Sequence, residues 1–179
     1  MDVRFVNPFL EGTISVLKTM AFIEPKPGKP YLKQNNIAVG DISGIIGLTG
    51  AARGSLALSF SGSCILRVVS NMLGEEIMDI NGDIQDAVGE ITNMISGAAR
   101  KNLEANGLKI SAAIPTVISG KSHSIIHVGG GPSIIIPFET DHGPFVVDVC
   151  IKMQDPAEVS DNAPTGPINV IYRNEAHPA

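Results

Sequence analysis

The chain has 179 residues, a formal net charge of −5, and only 17% charged residues, against about 25% in an average soluble chain. That length suits one domain with a sizeable core, and with six Phe, two Tyr and no Trp the core must be mostly aliphatic. The scattered negative balance excludes a nucleic-acid footprint, which needs clustered Lys and Arg.

Asn7-Pro8 predicts a helix start, with Asn as cap and Pro at the first helical position. Phe9, Leu10, Ile14, Leu17 and Met20 then recur at helical spacing. The helix should stop within 21–24, because Pro25, Pro27, Gly28 and Pro30 cannot continue it. Lys26, Lys29 and Lys33 are the nearest thing to a basic cluster, and read as a solvated loop. Residues 37–49, rich in Ile and Val, and 55–60, with Leu56, Leu58 and Phe60 alternating, predict two strands joined through a loop at 50–54. Residues 62–73 predict a second helix, stopped by Gly74.

The most informative segment is 83–107. At ~100° per residue, Ile84, Ala87, Val88, Ile91, Ile95 and Ala98 collect in one apolar stripe, and Asp86, Glu90, Asn93 and Gly97 fall together opposite it. Asp83 is the expected N-cap and Asn106-Gly107 the expected C-cap. Residues 108–119 predict a strand carrying Pro115, which belongs at an edge or a bulge. Further strands are expected at 123–128, 133–139 and 145–152, with turns at Gly129-Gly130-Gly131 and Asp141-His142-Gly143. Residues 1–153 form the expected domain. Residues 154–179, a Pro-rich acidic tail, are expected to be loosely ordered, with room for one more strand at 168–172. This order of elements gives an α+β class: a mainly antiparallel sheet packed with two long helices.

Most catalytic constellations are missing. The triple glycine has no Gly-Lys-Ser/Thr and no helix behind it, so it is a turn and not a phosphate loop. His123, His127, His142 and His177 do not make a zinc pattern, because 123–128 reads as strand and no third ligand has the right spacing. Ser-His-Asp chemistry stays open, although no Gly-x-Ser-x-Gly elbow is present. Cys64 and Cys150, in apolar segments, are expected as reduced core thiols. Neither a cleavable signal nor ~18 uninterrupted apolar residues occur, so a cytoplasmic location and no membrane span are expected.

What remains is the polar face of the long helix. Its bland reading is the solvated side that any amphipathic helix has. Against that, Glu90 and Asn93 are i, i+3 neighbours that can reach one partner together. Gly89 and Gly97 each cost roughly 1 kcal/mol relative to Ala, a cost best tolerated where another backbone must come close. A carboxylate can pair with a cation on a partner, and an amide can hold a water in line for attack, as a Gln does in GTPases.

These residues also resemble a known family. The run Asp86-x-x-x-Glu90-x-x-Asn93, then 94–99 (MISGAA), then 114–120 (IPTVISG), is similar to the CheC/CheX/FliY phosphatases of bacterial chemotaxis. A single copy of the motif, in a chain of this size, is most similar to the CheX branch. The family signature places a Pro some twenty residues after the Asn; here 21 residues separate Asn93 from Pro115. The similarity runs from the Asn7-Pro8-Phe9 helix to about Lys152. It implies hydrolysis of the phospho-aspartate of a CheY-like response-regulator receiver. Glu90 would contact a lysine of the regulator, Asn93 would orient the water, Asp86 would help at the docking surface, and Gly97 would leave a gap for the partner. It also implies Mg²⁺ supplied by the receiver, no cofactor of the chain's own, and a homodimer with a sheet continuous between subunits. The competing readings are a receiver-binding module without turnover and a dimeric scaffold with a merely solvated helix face.

Overall fold

A computed structural model describes residues 3–127 and 132–154. Three helices, α1 (Val3–Met20), α2 (Gly62–Leu73) and α3 (Gly82–Ala105), pack on one face of an eight-stranded sheet. The strands are β1 (Lys26–Pro27), β2 (Tyr31–Leu32), β3 (Ile42–Gly50), β4 (Ala52–Phe60), β5 (Ile110–Ala112), β6 (Thr116–Ser119), β7 (Ile134–Thr140) and β8 (Gly143–Met153). The main path runs β1-β7-β8-β4-β3-β5, with β2 also on β7 and β6 also on β3, and every described pairing is antiparallel.

The two-residue period of the long strands sorts the faces. Ile42, Ile46 and Leu48 of β3, Leu56, Leu58 and Phe60 of β4, and Val147, Val149 and Ile151 of β8 join the helices in the main core. Phe145 stacks between Phe60 and Phe138 there. The intervening residues, Ser43, Ile45, Ser55, Ala57, Ser59 and Asp148, point to the second face and are buried too. Segments 33–38 and 123–125 cover that face. They bridge each other at Ile37 and Ser124, and Ile125 joins Ile45 and Ala57 in a small second core.

Several expectations change. The first helix begins at Val3, so Asn7 is not its cap and Pro8 lies inside it. Burial of Phe5 and Val6 beside Phe9 extends the helix backward past the missing Pro8 N–H. The first long strand starts at Ile42: the Asp41 N–H still donates to the Phe60 carbonyl, but Ile37 and Ala38 belong to the cover of the second face. The link to β4 is tighter than 50–54: Ala51 alone separates β3 from β4. The 108–119 strand is two strands, β5 and β6, broken around Pro115 at the sheet edge, and both pair with β3. Residues 123–127 form one isolated bridge and no strand. Val128, the triple glycine and the tail beyond Gln154, with His177 and the expected 168–172 strand, lie outside the described residues.

Lys33 overturns the solvated-loop reading. Its side chain is 11% exposed and its Nζ donates to Asp148 Oδ2 at 2.6 Å and to the Ile125 carbonyl at 2.9 Å. Cys64 and Cys150 are buried thiols, as expected, and burial pushes Cys64 up to about 11. No helix among the described residues is long and apolar enough to cross a membrane.

Candidate functional site on helix α3

The cap of α3 is Asn81, whose Oδ1 accepts from the Ile84 N–H at 3.1 Å; Asp83 sits in the first turn instead, where its charge suits the helix dipole. Asn106 is the C-cap, with Gly107 following at a φ of +83°. The helix buries Ile84, Val88, Ile91, Ile95, Ala99 and Leu103, and also Thr92 and Ser96.

One contact sets the height of α3. A Cβ added at Gly44 of β3 would lie 2.0 Å from Thr92 Oγ1, so only a hydrogen fits between strand and helix. Thr92 turns its hydroxyl back onto the Val88 carbonyl at 2.7 Å, leaving no buried hydroxyl unpaired at the contact. Beside it, α1 runs antiparallel to α3, with Gly12 against Ala98, and Asn102 donating to Glu11 at 3.3 Å. The helix is thus held on two sides, and its third side faces outward.

That outward side carries the sequence-predicted residues. Asp86, Glu90 and Asn93 are exposed, and Gly97 is half-buried one turn beyond Asn93. Glu90 and Asn93 are without hydrogen-bond or ion-pair partners among the described residues, so both side chains are available to an outside molecule. No backbone of the chain itself crowds Gly97: an added Cβ would meet only Arg100 Nη2, at 3.9 Å. Gly89 is similarly open, with Val117 Cγ2 at 3.6 Å. The close approach that would explain these two glycines is therefore not made among the described residues. Four surface cavities elsewhere on the molecule have no lining from Asp86, Glu90, Asn93 or Gly97.

Sequence reasoning missed Arg100, which the same stripe reaches when extended one turn past Gly97. It also missed a buried series on the second face of the sheet. Ser55 Oγ lies 2.6 Å from His127 Nδ1, and His127 Nε2 lies 3.0 Å from Asp148 Oδ1. Ser133 donates to Asp148 Oδ1, and Lys33 holds the other oxygen. Nearby, Ser59, Ser43 and His123 form a second chain, ending on the Gly120 carbonyl. The first series brings Ser, His and Asp together, but Ser55 is buried, no principal cavity reaches it, and Asp148 is neutralised by Lys33. It fastens the cover to the sheet and offers no nucleophile to a substrate. Among the described residues, no three His, Cys, Asp or Glu side chains converge as a metal site would require.

Comparison with known proteins places this geometry. The family model described as "Chemotaxis phosphatase CheX" matches residues 42–139, a span that holds β3 through most of β7 and the whole of α3. The CheY-P phosphatase CheX of Thermotoga maritima is 35% identical over 130 residues, which cover 72% of this chain and 84% of that protein. A solved chemotaxis protein CheX from Desulfovibrio desulfuricans is 49% identical, with a TM-score of 0.78 over 83% of this chain and 99% of its own. A solved CheX-CheY-BeF3-Mg²⁺ complex from Borrelia burgdorferi contains a chain that is 27% identical, with a TM-score of 0.70 over 83% of this chain and 97% of that one.

Proposed function

The chain belongs to the CheX family of chemotaxis phosphatases, and on that premise we propose that it hydrolyses the phospho-aspartate of a CheY-like receiver domain. The observation that carries the reading is the unpartnered Glu90–Asn93 pair, one turn apart on an outward helix face. The similarity to a CheX chain solved with CheY, BeF3 and Mg²⁺ supports the same class of partner. In this reading Mg²⁺ arrives with the receiver as part of the substrate, and the cell compartment is the cytoplasm.

The roles follow from side-chain chemistry. Glu90 pairs with a lysine of the receiver and seats α3 against its phosphorylated site. Asn93 donates and accepts at once, so it holds a water against the phosphorus while the receiver supplies the leaving carboxylate. Asp86, one turn before Glu90, adds a docking contact. The amide need supply only part of the barrier, since each ~1.4 kcal/mol is tenfold in rate. The test is phosphate release from a Mg²⁺-loaded phospho-receiver of the CheY class from the same organism. Wild type should accelerate release, and Glu90→Ala should raise KM by about tenfold, the worth of a charge-assisted contact. Unchanged turnover in both Glu90→Ala and Asn93→Ala would sink the assignment. Saturable binding without wild-type turnover would favour the non-catalytic module.

Gly97 provides a second check. Alanine has room there, since its nearest neighbour would be 3.9 Å away. Gly97→Ala is expected to stabilise the free protein by up to about 1 kcal/mol through helix propensity. If the partner fills the gap, the same change raises KM. Thermal unfolding and KM measured together should therefore move in opposite senses for function.

The proposed homodimer rests on the resemblance. Pairing along β5 and β6 would suit it, since both are edge strands with Ile114 between them 89% exposed. Light scattering should then give twice the 18.8 kDa of one chain.

A further inference from the structure

We propose that Arg100 is a third partner-contacting residue of the α3 face, presenting its guanidinium to an oxyanion of the phosphorylated receiver; this rests on the reading of α3 as the docking face. At ~100° per residue, Arg100 lies on the stripe of Asp86, Glu90, Asn93 and Gly97, seven residues after Asn93 and three after Gly97. Helical side chains lean toward the N-terminus, and this one does so over Gly97: Nη2 passes 3.9 Å from where a Cβ at 97 would be. The cation therefore lies over the turn just beyond Asn93.

The bland roles of a helical arginine do not fit. It does not serve the helix dipole, because it precedes the last turn of α3, which holds no basic residue. It is not in an i, i+4 pair with Glu104: no carboxylate among the described residues lies within the 4.0 Å of an ion pair. Its Nε is buried and has no hydrogen-bond partner among the described residues, so only the outer end of the guanidinium faces outward. A buried cationic donor without an acceptor carries a desolvation cost that nothing among the described residues offsets.

A guanidinium is a planar fork that matches a carboxylate or a phosphoryl group. Glu90 and Arg100 then give the face opposite charges about 15 Å apart along the helix, at 1.5 Å per residue. Two contacts of opposite sign admit the partner in one orientation and penalise the reversed one. Asn93 sits between them, where the orientation matters.

The experiment compares wild type, Arg100→Ala, Arg100→Met and Arg100→Lys, each checked for folding by thermal unfolding. It measures phosphate release from the phospho-receiver and binding of the receiver loaded with BeF3⁻ and Mg²⁺. If the oxyanion is a surface carboxylate, Arg100→Ala and Arg100→Met should raise KM and Kd about tenfold with kcat preserved. If it is the phosphoryl group, kcat should fall by about the same factor. In either case Arg100→Lys should recover part of the loss. The proposal is overturned if the folded Ala and Met variants stay within about twofold of wild type in KM, kcat and Kd, a change too small for a lost charge-assisted contact. Wild-type turnover that depends on Asn93 but not on Arg100 overturns this proposal alone. Absence of both turnover and binding in the wild type overturns the functional reading with it.

Discussion

Replacing Asn93 with alanine is expected to reduce receiver dephosphorylation by about a hundredfold, the scale of losing one positioned polar group at a reacting centre. Binding of the BeF3⁻-loaded receiver should survive, because Glu90 and the rest of the α3 face are untouched. Stability should move by no more than about 0.5 kcal/mol, since Asn93 is exposed and has no partner in the chain. Asn93→Gln is the sharper variant. It keeps the amide but adds a methylene, displacing the group by more than an ångström, and a misplacement of ~1 Å can cost about a hundredfold. Glutamine should therefore fail nearly as badly as alanine. Full activity in Asn93→Gln would mean that the amide supplies a hydrogen bond of loose geometry and not an aligned water. Glu90→Ala separates from both by acting on KM.

The second large effect lies on the other face of the sheet. Asp148→Asn is expected to destabilise the fold by about 3–5 kcal/mol, because Lys33 is left as an uncompensated buried charge. Lys33→Met combined with Asp148→Leu should recover only part of the loss, since it removes the uncompensated charge but leaves Ser133 Oγ and His127 Nε2 without their acceptor. Burial is the largest single influence on the Asp148 carboxyl and pushes it upward; the His127 and Lys33 contacts together outweigh it and hold it below the ordinary range. A carboxyl depressed in the folded state contributes its full stability above the unfolded value of about 3.9 and loses it as pH falls through the folded value. Acid titration of the wild type should show this loss, and Asp148→Asn should flatten it. Turnover per folded molecule should be unchanged, because the pair lies opposite α3.

Local signals made α2 legible. Ser61-Gly62 ends β4, and Gly74 adopts the left-handed conformation that closes the helix, so both bounds fall where the spacing puts them. The period and length of α3 made its two faces plain, and with them the positions of Glu90 and Asn93. The failures are all non-local. Nothing near Lys33 in sequence announces Asp148, 115 residues away. The small and polar inner residues of the second face, Ser43, Ser55 and Ser59, give no sign that a non-helical cover will bury them. Ile37 and Ala38 have strand composition but leave the sheet to make that cover. Pro8 looked like a helix start because propensity is local, whereas Phe5 and Val6 are drawn into helix by a core assembled from distant strands. Arg100 was within reach of the same helical count that found Asn93; it was passed over because a basic residue on a helix surface is ordinarily unremarkable.

The outward exposure of Glu90 and Asn93 on α3 bears on how such a protein could be inhibited or retuned. Glu90 and Asn93 line none of the four cavities described above, so a small phosphate ester or a drug-sized inhibitor finds no walls there to bury against. On the proposed reading, discrimination among substrates then rests on the surface that the receiver presents to α3. A cell with several receivers could then redirect this activity by altering a few surface residues of the receivers, leaving the α3 helix unchanged.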